Sequence, residues 1–282
     1  MTTVTSQAPI VGLYVQSTPQ SLTLVRGMLS GVAEQLAMDP ELLDDLKTSV
    51  SEACNNVVLH AYADAPGPMD VELYVDHDCI IVSVRDRGVG LSDSPAAIVN
   101  DGAGGLGVSV MQALTRDLQL TACEGGGTEV LMRFDGHRGD WPLFTMPPEP
   151  TAEHQLTPVA PDSGDEVTVS VSPVALLPSV LGRVARTVAA TAHFSLDRFS
   201  DVYLITDALS AYAGHAAAGD RITARLTASE RRLWLSLGPF RRGTGSLLEA
   251  RAPSPLSMLA DELTVSQWGA DDAVELVVLD AG

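Results

Sequence analysis

The chain has 282 residues, 45% of them hydrophobic and 19% charged, with a formal net charge of −19. That length suits one large or two ordinary domains with a real core, and the composition is not that of a disordered chain. The acidic excess, heavier in the first 150 residues, argues against direct nucleic-acid binding and favours basic protein surfaces, with a strength that salt reduces. Three cysteines, Cys54, Cys79 and Cys123, are an odd number with no zinc-like spacing. Buried free thiols in a reducing compartment are expected. The first residues lack a basic region followed by an apolar run, and no stretch approaches bilayer-crossing length. The expected protein is soluble and cytoplasmic, with no membrane partner.

Residues 11–16 read as a strand. Residues 19–36 read as a helix with Leu22, Val25, Met28, Leu29, Val32 and Leu36 on one side. Asp39-Pro40 opens a second helix in the order of cap residue then first-turn proline. It is predicted to run to Tyr62, with Leu46, Val50, Ala53, Cys54, Val57 and Ala61 facing the core. Glu52 and Asn56, four residues apart, share the opposite side. A carboxylate above a carboxamide suits a hydrated magnesium ion beside a phosphate, and it equally suits a plain solvated face.

Residues 69–75 and 79–85 alternate as two strands, with Val71, Leu73, Val75, Ile80, Val82 and Val84 inward. Asp86-Arg87-Gly88-Val89-Gly90 follows at once. Its glycines permit positive φ and close approach to a flat ligand; an ordinary turn capped by an aspartate has the same form. Residues 91–100 are small and polar enough for a flap. Gly102 to Gly107 then lead into a helix carrying Val110, Met111 and Leu114. A glycine loop at a helix N-terminus presents free N–H groups to an anion. No lysine follows as in a P-loop, and no βαβ unit frames it as in a Rossmann fingerprint. Residues 118–123 and 128–134 close the first half as a hairpin around Gly125-Gly126-Gly127.

In sequence, E-A-C-N-N-V-V-L-H-A-Y, D-R-G-V-G, G-G-L-G and G-G-T-E-V resemble the boxes of the Bergerat (GHKL) ATP-binding fold. This is the superfamily of gyrase, Hsp90, histidine kinases and MutL. The short domain and the H-A-Y ending most resemble the RsbW/SpoIIAB anti-sigma regulatory kinases, over about residues 11–135. The resemblance implies an α+β fold: a two-layer α/β sandwich with helices on one face of a mixed, mostly antiparallel sheet. It implies ATP and Mg²⁺ as cofactors, with Asn56 on the metal and Glu52 as general base toward a serine hydroxyl. Asp86 would read the adenine amino group, with Gly88 and Gly90 shaping its pocket. Gly104, Gly105, Leu106 and Gly107 would cover the phosphates, and Thr128 would bond to Asp86 or to a water near adenine. The implied partners are a sigma factor and a STAS-domain anti-anti-sigma protein that is phosphorylated.

Residues 136–165 hold Pro142, Pro147, Pro148, Pro150, Pro158 and Pro161 and read as a linker between a domain at 1–135 and another at 166–282. The second domain reads as a degenerate copy of the first, giving tandem sandwiches. Asp207-Ala208 and His215-Ala216 stand at one constant offset from Glu52-Ala53 and His60-Ala61. Ala211 replaces Asn56, and Gly238-Pro239-Phe240-Arg241-Arg242 replaces the aspartate turn. The phosphate loop shrinks to Gly243-Thr244-Gly245. This copy is expected to keep the fold, bind no ATP and substitute for the second subunit of a dimer. His60 and His215, present in both copies, are expected to pack as scaffold; Trp234 and Trp268 read as packing residues. Arg231-Arg232 and Arg241-Arg242 suit solvated turns or an acidic surface. The leading reading is an ATP-dependent serine kinase and anti-sigma factor. Its alternatives are a non-catalytic, ATP-gated binding module and a histidine-kinase catalytic fragment.

Overall fold

The computed structural model describes residues 8–76, 79–90, 105–123, 125–136, 166–244 and 255–280. The chain divides into two units, Met1–Asp162 and Ser163–Gly282. The expected flap at 91–100, Gly102 to Gly104 and all but the first residue of the linker at 136–165 lie outside the described residues.

In the first unit, β1 (Val11–Gln16) leads to α1 (Ser21–Gln35), α2 (Pro40–Asn56), β2 (Pro68–Asp76) and β3 (Cys79–Asp86). Helix α3 (Gly105–Leu114) and the hairpin β4 (Asp117–Ala122) and β5 (Thr128–Asp135) follow. The strands lie in the order β4-β5-β3-β2-β1, every pairing antiparallel. Period-two alternation sets the register. Leu13 faces Val71, Val71 faces Val84 and Val84 faces Val130. One step along, Val11, Leu73, Val82 and Met132 form a parallel row. Both rows are buried, as are Val25, Met28, Leu29 and Val32 of α1 and Leu46, Val50, Ala53 and Cys54 of α2. Each Val, Leu or Met among them, taken out of water, contributes on the order of 1.5–3 kcal/mol. Of the inward residues predicted from alternation, only Val75 stays half-buried. Cys54 is free, and burial pushes its thiol pKa up to about 12, so it is inert packing.

Helix α2 starts as its sequence predicts: Asp39, in an extended conformation, accepts the Glu41 N–H at 2.8 Å, with Pro40 in the first turn. Its end differs. The α-helix stops at Asn56 and continues as a π-helical turn, Val57–Ala61. The wider turn keeps both Val57 and Ala61 buried while Leu59 and His60 face solvent. His60 is therefore exposed, not packed, and so is His215. The scaffold reading of these histidines is corrected.

The second unit runs β6 (Glu166–Val171), α4 (Leu177–Thr191), α5 (Leu196–Ala216), β7 (Ile222–Ser229) and β8 (Arg232–Phe240). A short α6 (Pro255–Leu259), β9 (Glu262–Trp268) and β10 (Asp271–Leu279) complete it. Its sheet is ordered β6-β7-β8-β10-β9, again antiparallel throughout. Counted from its own first strand, this is the strand order of the first unit. Trp268 is half-buried beneath the Arg225 guanidinium, 4.7 Å from the ring centroid. Contrary to the expectation from sequence, one segment, Val174–Thr191, is long and apolar enough by composition to cross a bilayer. Half of it is buried, and Leu177, Val180, Leu181, Val184 and Val188 form its inward face, the pattern of a core helix.

Replacing Asp39 with alanine removes the α2 cap and is expected to cost about 0.5–2 kcal/mol of stability. Chemical denaturation of the intact chain measures it, and an unchanged midpoint would contradict the role given to this cap.

Candidate functional site

The end of β3 delivers Asp86 into a place where carboxylates are seldom found. Its side chain is 4% exposed and accepts the Gly88 N–H at 2.8 Å and the Thr128 backbone N–H. Burial dominates and raises its pKa above the usual 3.8; the two N–H groups pull the other way. A carboxylate has roughly four lone-pair positions, so acceptor capacity remains for a ligand N–H.

Backbone, not side chains, shapes the surroundings. A Cβ on Gly88 would stand 2.0 Å from the Ala61 carbonyl oxygen, which also accepts the Val89 N–H at 3.0 Å. A Cβ on Gly127, at φ +90°, would stand 2.1 Å from the Asp86 carbonyl oxygen. Gly90, at φ +73°, would bring its Cβ to 3.2 Å from the Gly127 oxygen. The π-helical turn, the Asp86–Gly90 turn and the start of β5 thus interlock through carbonyl contacts that only glycine admits.

At the other end, Glu52 and Asn56 lie half-buried on α2, one turn apart. A Cβ on Gly107 would lie 2.8 Å from Glu52 Oε2, so the first turn of α3 meets this carboxylate directly. Gly105 begins that helix, and Leu106 is 83% exposed. Of the predicted residues, Asp86, Gly88, Gly90 and Thr128 come together at one end, and Glu52 and Gly107 at the other. Asn56 and the turn after it connect the two along a single helical run. Thr128 takes part through its backbone N–H. Gly104 lies outside the described residues.

Three participants were missed by sequence reasoning. Tyr62 donates its hydroxyl to the Pro68 carbonyl at 2.6 Å and accepts the Arg87 N–H at 2.9 Å. Gly67 leaves room for that ring; its Cβ would fall 2.2 Å from Tyr62 Cε1. Gly127, visible as one of three glycines in a hairpin and within the G-G-T-E-V box but given no role there, is the one whose contact the turn requires. An ion pair at 2.8 Å joins Arg87 to Asp70.

In the second unit the Ala216 carbonyl accepts the Arg241 N–H at 2.9 Å, as Ala61 accepts that of Val89. Counting back from these donors sets Phe240 in the place of Gly88 and Gly238 in the place of Asp86. Phe240 is 1% exposed and meets the Tyr212 ring edge-on at 5.0 Å. The Tyr212 hydroxyl donates to the Thr244 carbonyl at 2.8 Å. Asp207 and Ala211, at the positions of Glu52 and Asn56, are exposed.

This geometry is that of one class, the histidine kinase-like ATPase domain, whose family model matches residues 15–134. Within it, the chain is 34% identical over 128 residues to the serine-protein kinase RsbW of Bacillus licheniformis, spanning 41% of this chain and 79% of that protein. It is 30% identical over 123 residues to the anti-sigma F factor of Caldanaerobacter subterraneus subsp. tengcongensis, spanning 41% and 86%. With the serine-protein kinase RsbW of Bacillus subtilis it shares 29% over 147 residues, 48% and 92% of the two chains. The chain belongs to this family of anti-sigma regulatory kinases through its first unit.

Because the folded-state pKa of Asp86 is raised, its contribution to stability is full below the usual 3.8 and is lost as pH rises through the raised value. Asp86→Asn keeps an oxygen for the two N–H groups and removes the buried charge. At pH 7 the variant is expected to unfold no earlier than the parent, with a shallower fall in stability from pH 4 to 7. Thermal unfolding across that range tests this, and an identical slope in both proteins would contradict it.

Proposed function

We propose that the first unit binds ATP with Mg²⁺, transfers its γ-phosphoryl group to a serine of a STAS-domain anti-anti-sigma protein, and holds a sigma factor in competition with that partner. The observation that carries this reading is the contact of Glu52 with the glycine-led start of α3, on the same helical run that anchors the buried Asp86 turn. Membership of a family whose members are named serine-protein kinase RsbW and anti-sigma F factor supports it. So does the acidic charge of the chain, which suits a basic protein partner. A sigma factor as target places the protein in the cytoplasm.

In this reading Asp86 accepts the adenine amino N–H and the glycine interlock leaves a flat space for the base. The free N–H groups of the first turn of α3, from Gly105 through Gly107, face the phosphates. Asn56 fits a hard cation, offering one neutral oxygen. Among the described residues no three His, Cys, Asp or Glu side chains cluster; a magnesium ion held mainly by phosphate oxygens and water matches that donor set. Bound there, it would neutralise charge on the phosphates. Glu52 takes the proton of the serine hydroxyl as its oxygen forms a bond to the γ-phosphorus. The bond from that phosphorus to the β–γ bridging oxygen breaks, and ADP leaves with the electron pair.

The second unit, we infer further, takes up no nucleotide. Phe240, buried against the Tyr212 ring, stands at the position of Gly88, and no carboxylate stands at the position of Asp86, which is Gly238 here. One nucleotide-binding unit and one empty copy in a single chain make it a candidate for a monomer in place of a dimer.

Labelled ATP mixed with the protein and a STAS-domain partner tests the reading. The intact protein is expected to label a serine, and Glu52→Ala to lower transfer by about 10²–10⁴-fold, the range for loss of a general base, with ATP affinity nearly unchanged. Binding of ATP without labelling of any partner would favour a non-catalytic, ATP-gated binding module instead.

A further inference from the structure

We propose that Tyr62 is a positioning residue for recognition of the base: its hydroxyl fixes the peptide unit that carries Asp86 into the site. The inference rests on adenine being read at Asp86.

Tyr62 leaves the π-helical turn in an extended conformation, φ −128° and ψ 127°, and its ring passes beneath Gly67. The hydroxyl then stands between two backbone groups far apart in sequence, donating to the Pro68 carbonyl and accepting from the Arg87 N–H. A phenol has one proton to give, and here it is spent on Pro68, which leaves its lone pairs for Arg87. Burial raises the pKa of Tyr62 above its usual 10.0, which keeps that proton in place.

The Arg87 N–H belongs to the same peptide unit as the Asp86 carbonyl. That carbonyl lies under Gly127, where a Cβ would approach to 2.1 Å. The unit is therefore held from both sides, by Gly127 at its oxygen and by Tyr62 at its N–H. A rotation of this peptide would swing the Asp86 side chain and break its bond to Gly88. The Arg87–Asp70 ion pair lies on the outer side, with Arg87 42% exposed, and adds little to the hold.

The second unit is an internal control. Where His60 and Ala61 persist as His215 and Ala216, Tyr62 is replaced by Ala217, and Asp86 is lost as well. The unit without a carboxylate to orient has no tyrosine to orient it. The fold of that unit forms without either.

Calorimetric titration of the intact chain and of Tyr62→Phe, which keeps the ring and deletes the oxygen, tests the inference. The loss of one neutral hydrogen-bonding group predicts a Kd raised by about 3- to 10-fold. The factor should be the same for ATP and ADP, with or without Mg²⁺, because the residue serves the base end. Transfer at saturating ATP should be unchanged. In the parent protein without nucleotide, the Arg87 amide should already be protected from hydrogen exchange, and the Phe variant should lose that protection. An unprotected Arg87 amide in the free parent protein would overturn the inference without recourse to any variant. Equal affinity in both proteins, or a fall in transfer rate at unchanged Kd, would also overturn it. Failure of the parent protein itself to bind adenine nucleotide would instead sink the reading of the site beneath it.

Discussion

Three carbonyl oxygens, those of Ala61, Asp86 and Gly127, each lie where the neighbouring segment can carry no side chain. This mutual approach joins a helix end, a strand end and a hairpin that are otherwise far apart in sequence. In the first unit the wider π-helical turn carries the Ala61 carbonyl onto the Asp86–Gly90 turn, and in the second a plain α-helical end carries the Ala216 carbonyl onto Arg241 in the same way. Everything else in the site hangs on this lock: the placement of Asp86, the bond from Thr128, and the path of the chain toward the glycine-led helix. Backbone contacts of this kind are stiff, and under the proposed function that stiffness suits an acceptor held ready for a flat ligand.

The lock also explains how a carboxylate is tolerated inside the first unit. Burying Asp86 is unfavourable, and its raised pKa records that cost. Two backbone N–H groups offset part of it, and both come from segments that the glycine contacts hold in place. Under the proposed function, stability and recognition pull against each other at this residue. Such a conflict is common where a protein keeps a polar group for a ligand and not for its own fold.

Much of this was legible in the residues. Period-two runs gave β2, β3 and β5, and the Asp39-Pro40 pair gave the start of α2, because each depends on local pattern alone. Glu52, Asp86, Gly88 and Gly107 were legible as candidates through the resemblance of four boxes in the right order, since each pattern alone equally suits a solvated face or an ordinary turn. The π-helical turn was not, since Val57 to Ala61 reads equally well at α-helical period. Neither was Tyr62, whose partners Pro68 and Arg87 are set by the lock and not by spacing. His60 misled: its recurrence as His215 looked like packing, yet both side chains face solvent. Burial of a histidine cannot be inferred from its repetition.

The two units show what the fold needs and what the site needs. Both build a five-stranded antiparallel sheet in the same order. Only the first has Asp86, Gly88 and Tyr62; the second has Gly238, Phe240 and Ala217 at those positions, with Phe240 buried against Tyr212. The most direct test of the account is the stoichiometry of nucleotide uptake by the intact chain, measured by calorimetry in the presence of Mg²⁺. The account predicts one ATP per chain. Two per chain, or none, would contradict it.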